Sequence, residues 1–170
     1  MEAMDALCSR RSIRKYREET VSEESLRELL EAAMSAPSAG NQQPWHFIVI
    51  NDRKLLDRIP EFHPHSLMCR EAPLAILVCG DPSLEKHVGY WVQDCAAATE
   101  NLLLAVHAAG LGGVWVGVYP REERVNEFRK LLNMPEHVVP FALIPIGHPA
   151  EQKPSRADRY NQARIHTNTW

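Results

Sequence analysis

No C-x-x-C pair occurs among the four cysteines of this 170-residue chain, Cys8, Cys69, Cys79 and Cys95. That removes the usual thiolate pairs of structural zinc sites and thiol redox centres. Three of the four lie in apolar or helical surroundings that suit small buried side chains, which points to a reduced, cytoplasmic protein. There is no G-x-S-x-G elbow and no P-loop, so hydrolase and NTPase chemistry lack their nucleophile and their phosphate cradle. No apolar run suits a bilayer, because the longest, Tyr90 to Gly110, is interrupted by Gln93, Asp94, Glu100, Asn101 and His107. The N-terminus carries acids where an export signal carries bases, so no membrane or export segment is expected. Excess positive charge is also missing, with 19 Lys plus Arg against 22 Asp plus Glu, which argues against a general nucleic-acid binder. His46, His63, His65 and His87 stand at no recognised ligand spacing, so no metal is expected and the histidines read as surface groups.

What is present is one domain's worth of chain, long enough to bury roughly 70% of its unfolded surface. Helices are expected at residues 2–9, from an N-cap at Ser22 to Met34, at 53–59, from Tyr90 to Ala109 and from Arg121 to Leu132. Strands are expected from Trp45 ("WHFIVIN"), from Leu74 to Gly80, at "VWVGV" (114–118) and from Val138 to Gly147. Four strands with interleaved helices make an α/β or α+β domain. Between Glu61 and Ala72 the chain reads as a mobile or substrate-facing loop carrying Phe62, His63, His65 and Met68. The tail from His148 to Trp170 is polar and aperiodic, and its terminal tryptophan suggests an arm that docks on its own domain or on a second subunit.

Three stretches could carry chemistry. "RRSIRKYR" puts Arg10, Arg11, Arg14, Lys15 and Arg17 around Ser12, and arginine forks with a hydroxyl suit a phosphate monoester. A solvated basic turn is the competing reading. "PSAGNQQPW" offers Ser38, Asn41, Gln42 and Gln43 beside small residues, as a heterocycle-facing loop or as an ordinary helix-to-strand connection. "GLGGVWVG" fails the G-x-G-x-x-G spacing and follows a helix instead of a strand, which rejects a Rossmann site. Its glycines either end the long helix or bring bare backbone beside a ligand.

Taken together and in order, "RRSIRKY", "SAPSAGNQQPWHFIVI", "GLGGVWVGVYP" and "IPIGHPAEQKPSRADRYNQARIH" strongly resemble the nitroreductase-like family of flavin enzymes. The resemblance spans nearly the whole chain. It implies an α+β fold, with a central mixed, mainly antiparallel sheet flanked by helices, in a single domain (1–170). It also implies a domain-exchanged homodimer in which a C-terminal arm (148–170) docks on the partner, with FMN at each subunit interface.

Carried over by position, Arg10, Arg11 and Ser12 match the motif for the phosphate and ribityl end, and Arg14 lies near the pyrimidine edge. Pro37, Ser38, Ala39 and Asn41 match a flavin-lining loop from the other subunit. Gly112, Gly113 and Val114 match the backbone at the redox-active edge. Arg156 matches a tail arginine that returns to the phosphate, with Arg159 assisting. The implied activity is ping-pong reduction of a small electron-poor acceptor (nitroaromatic, quinone or similar) by NADH or NADPH, with no catalytic side chain. A specialised flavin reaction such as reductive dehalogenation is an alternative, and a non-catalytic nucleic-acid-binding arm is an alternative of another class.

Overall fold

A computed structural model describes residues 1–154 and 159–170. Its frame is a sheet of five strand segments: β1 (Trp45–Ile50), β2 (Leu74–Gly80), β3 (Gly112–Gly113), β4 (Val116–Gly117) and β5 (Val139–Gly147). The spatial order is β1-β2-β5-β3, and β4 also lies on β5. Every ladder is antiparallel. The parallel component of the expected mixed sheet is an isolated bridge between Ser12 and Gly113.

Among the described residues five α-helices flank the sheet: α1 (Ala3–Ser9), α2 (Glu23–Met34), α3 (Arg53–Phe62), α4 (Trp91–Ala108) and α5 (Glu122–Leu132). β2 and β5 read as continuous apolar runs because both of their faces are covered. Ile76, Val78, Ala142, Ile144 and Ile146 join Leu29 of α2 and Cys95, Leu102 and Val106 of α4 in one core. Leu77, Cys79 and Leu143 point the other way, into a second core with Leu56 and Ile59 of α3 and Phe128 of α5. The period-2 alternation of a strand thus sorts one hydrophobic run into two layers. Cys69, Cys79 and Cys95 are fully buried free thiols, and burial pushes the Cys69 and Cys79 thiols up to about 12. Among the described residues no helix is long and apolar enough to cross a membrane.

The expected third strand begins two residues early, at Gly112, and is cut in two. Gly112↔Gly147 and Gly113↔Ile146 share one register with Val116↔Leu143 and Gly117↔Ala142, so β3 and β4 are one strand with a gap. In that register Pro145 faces Val114, and a proline has no N–H to give the ladder.

Two further differences from the sequence reading concern residues 61–72. α3 runs through Pro60 to Phe62, since His63 N–H still reaches the Ile59 carbonyl at 3.0 Å. The remainder is packed: Met68, Cys69 and Ala72 are buried, and the Arg53 guanidinium donates to the Cys69 carbonyl and, at 2.9 Å, to that of Ala72. Apolar burial and satisfied carbonyls make this segment part of the second core and not a mobile loop.

The two ends of the chain are sewn together beside β3. Ile13 N–H donates to Gly113 O (3.0 Å), Arg17 N–H to His148 O (2.9 Å) and Ala150 N–H to Lys15 O (2.9 Å). Tyr16, buried below them, donates its hydroxyl to Ile13 O and Pro145 O. Residues 148–153 therefore pair with residues 12–17 of the same chain.

Candidate functional site

Pairing against the β3 edge holds residues 10–17 in a defined path, so the cations cannot all point one way. Arg10 turns toward α4, where its guanidinium lies 3.7 Å from Glu100. Arg17 pairs with Glu19 at 3.3 Å. Arg11 lines a cleft of about 340 Å³ together with Ser9, His107, Gly110, Gln152 and Lys153. Lys153 donates to the Ser12 carbonyl at 2.7 Å and lies 3.2 Å from the Glu151 carboxylate. Glu151 also accepts the Arg14 N–H at 2.6 Å, and this bond, with Lys153 beside it, holds its carboxyl below the usual carboxylate range. Two cations from opposite ends of the sequence thus share one half-buried cleft. Glu151 lines the same cleft, so a phosphate there would meet the Arg11 guanidinium and draw the Lys153 ammonium from Glu151.

Gly112 serves the same edge by being small. A Cβ there would stand 2.8 Å from the Ile13 Cβ, a backbone-near atom that cannot rotate away, so only glycine lets residues 12–13 lie on the strand. Gly113 and Val114 are likewise buried. Open backbone appears further along, at Gly117, where an added Cβ would meet nothing within 4 Å. Val118 N–H bonds to Phe141 O. Gly117, the residue before it, therefore turns both its N–H and its C=O to the outer edge, and the alternation ends at Tyr119, whose N–H also reaches Phe141 O. Its carbonyl is held there by two donors, Arg124 of α5 at 2.8 Å and the His63 ring at 2.9 Å.

A carbonyl only accepts, so His63 Nε2 carries the proton, while Nδ1 accepts the His65 N–H at 3.3 Å. His63 is 1% exposed, which corrects its reading as a surface histidine. Burial, with the Arg124 charge added, lowers its pKa below the ordinary imidazole value. His107, hydrogen-bonded to Ser9 at 2.7 Å, is lowered by burial and by Arg10. Below pH ~6.5 the unfolded chain takes up protons that these two rings refuse in the fold, so stability is lost as pH falls. The melting temperature is expected to decline between about pH 7 and pH 5, and His63→Gln is expected to decline less steeply, as read by thermal melts across that range.

The loop at 37–43 connects α2 to β1 and is built with Gly40, Asn41 and Gln43 at positive φ (54°, 54° and 48°). Glycine takes this region freely and asparagine tolerates it, so Gln43 is the residue whose left-handed backbone the surroundings must impose. Gln43 N–H bonds to Ser38 Oγ at 3.0 Å. Asp94, in the first turn of α4 and 4% exposed, accepts the Ala39 N–H at 2.9 Å and the Gln42 side-chain amide at 2.7 Å. Pro37 and Asn41 are exposed, and Ser38 and Ala39 are half-buried.

The structure brings Arg11, Ser12, Arg14, Gly112 and Gly113 to one edge, leaves Pro37–Asn41 on a separate loop of the same chain, and places Arg159 on the exposed tail. Arg156 lies outside the described residues. Sequence reasoning gave no role to Lys153, Gly117, Arg124 or Asp94, and it read His63 as a surface group. Lys153 stood in the quoted tail motif three residues before the arginine chosen. Asp94 had a legible signal, a carboxylate inside the most apolar helix. Among the described residues no group of three His, Cys, Asp or Glu side chains could hold a metal ion.

A family model described as "Nitroreductase family" matches residues 7–67 and 63–148. A protein of Methanothermobacter thermautotrophicus, provisionally named an NADH dehydrogenase/NAD(P)H nitroreductase, is 52% identical over 100% of this chain and 88% of its own length. A crystal structure from Parabacteroides distasonis, provisionally named in the same way, superposes with a TM-score of 0.93 at 41% identity, covering 99% of this chain and 98% of that one. A provisionally named nitroreductase of Desulfovibrio desulfuricans, solved in complex with FMN, gives a TM-score of 0.84 at 34% identity, with 100% and 98% covered.

Proposed function

The chain belongs to the nitroreductase family of oxidoreductases, and from that premise we propose that it binds FMN along the β3–β4 edge and uses NADH or NADPH to reduce a small electron-poor acceptor. The observation that carries this reading is the cleft beside an edge strand that Arg11 and Lys153, from opposite ends of the sequence, both line, together with Glu151. A phosphate monoester carries close to two charges near neutral pH, and two cations stabilise it. From Gly113 to Gly117 the edge runs about 13 Å at ~3.3 Å per residue, enough for an elongated ligand with its phosphate at one end. The FMN complex of the Desulfovibrio protein supports the same cofactor.

In this reading Arg11, Ser12 and Lys153 hold the phosphate and ribityl end, with Arg10, which would exchange Glu100 for the phosphate, and Arg156 and Arg159 of the tail added to them. Arg14 faces the pyrimidine edge and favours negative charge there. Gly112, Gly113 and Val114 form the wall, and the outward N–H of Gly117 is a fixed donor beyond them. FMN supplies hydride acceptance and donation when bound. The protein contributes position and field, and no side chain acts as acid or base.

Pro37, Ser38, Ala39 and Asn41 reach the flavin of a second subunit in a homodimer. The apolar residues of the tail, Tyr160, Ile165 and Trp170, are 76%, 55% and 100% exposed and are the part of the arm available to cover a partner. Arg10 and Arg17 each face a carboxylate, which lowers the positive potential a nucleic acid would meet.

The test is direct. Purified protein should be yellow, the chromophore released on denaturation should be FMN, and anaerobic NADH or NADPH should bleach it, with turnover on nitroaromatics and quinones identifying the acceptor. A colourless protein that refuses added FMN overturns the reading.

A further inference from the structure

We infer that Asp94 is a positioning residue whose carboxylate, acting through Gln42, presets the 37–43 loop for contact with the flavin. The inference rests on the cofactor reading above and adds to it residues that touch no ligand. Asp94 Oδ1 takes the Ala39 N–H (2.9 Å) and Oδ2 takes the Gln42 Nε2 amide (2.7 Å). Gln42, itself 7% exposed, uses its remaining oxygen to accept the N–H groups of Lys86 (2.9 Å) and His87 (3.1 Å). The His87 ring in turn lies over Gly40, where a Cβ would fall 2.6 Å from Nε2. One buried carboxylate and one buried amide therefore fasten the loop to the start of α4 and to the segment before it. Three residues of that loop are in left-handed backbone, and Gln43 is the one that needs such fastening to stay there.

Donors and acceptors in this chain match in one sense only. Ala39 N–H, Lys86 N–H and His87 N–H are fixed donors, so the outer ends of both side chains must be acceptors. The bond between the side chains then requires a single donor group, the Gln42 amide. Asp94→Asn adds a second amide, and whichever way the two amides turn, one faces a donor. Gln42→Glu removes the only side-chain donor and sets two carboxylates against each other. The double variant D94N/Q42E restores the pattern with the bond reversed, the new amide at position 94 donating to the new carboxylate at position 42, and leaves the net charge unchanged.

The experiment titrates flavin-free protein with FMN, following flavin fluorescence, and measures melting temperature and native mass on the same samples. Each single variant is expected to bind FMN about tenfold or more weakly, as for a buried group left facing a like partner. D94N/Q42E is expected to return to within about threefold of wild type. In the singles, saturating FMN should restore kcat more fully than kcat/KM for the acceptor, because the loop is misplaced and the edge strand is not. Singles that melt lower but bind FMN as wild type does, or a double variant that stays as weak as the singles, would overturn the positioning role while leaving the cofactor reading intact. Wild-type protein that does not bind FMN would overturn the cofactor reading itself and this inference with it.

Discussion

Arg11→Ala combined with Lys153→Met is expected to weaken FMN binding about a thousandfold, and each change alone about ten- to a hundredfold. That size follows from two charge-assisted contacts in a half-buried cleft, each contributing ~1.5–3 kcal/mol. Methionine at 153 keeps the apolar stem and removes only the charge. Titration by flavin fluorescence reads the effect, and repeating it at raised salt should narrow the gap, since screening weakens the wild-type contacts more than those of the neutralised protein. Full flavin occupancy in the double variant would rule out this cleft as the phosphate site. Lys153 also donates to the Ser12 carbonyl, so a melting curve accompanies the titration to separate a loosened segment from a lost charge.

Phe128→Ala should produce the largest loss of stability, about 3–5 kcal/mol, because it empties the centre of the second core. Phe128 is 0% exposed and meets Phe62 edge-on at 5.1 Å between centroids. α3 and α5 are joined at that contact, and the chain just beyond α3 supplies His63 while α5 supplies Arg124, the two donors on Gly117. At ~2–4 °C per kcal/mol for a domain of this size, the melting temperature should fall by about 10 °C. Phe128→Leu, which retains most of the volume, should cost less than half as much. Flavin affinity should fall by a smaller factor in Phe128→Ala than in the Arg11 and Lys153 variants, since the cleft is built on the opposite end of the edge strand.

Local rules made the elements legible and left the site half-legible. Ser22 does cap α2, with its Oγ accepting the Ser25 N–H at 3.1 Å, and the apolar strands stand within a residue or two of where their composition puts them. α3 outlasts its proline because only one ladder bond is lost and the packing of Ile59 keeps the last turn in place. The gap between β3 and β4 was invisible, because its cause, Pro145, lies on the neighbouring strand and acts through register.

The same distinction separates the site residues. Arg11 and Ser12 stood out because they form a cluster along the sequence. Lys153 reaches the cluster from 141 positions away, and His63 is defined by a bond to Gly117, 54 positions on. Neither pairing leaves a periodic mark, so neither could be read from spacing.

Joining residues 12–17 to residues 148–153 has a consequence for how the cleft forms. Closing a loop of that length costs on the order of 4–5 kcal/mol of chain entropy, which must be met before either half of the cleft gains anything from the other. A chain in which residues 148–153 have not yet paired with residues 12–17 lacks Lys153, one of the two cations of the cleft. On the cofactor reading proposed above, flavin retention reports that residues 12–17 and 148–153 have met.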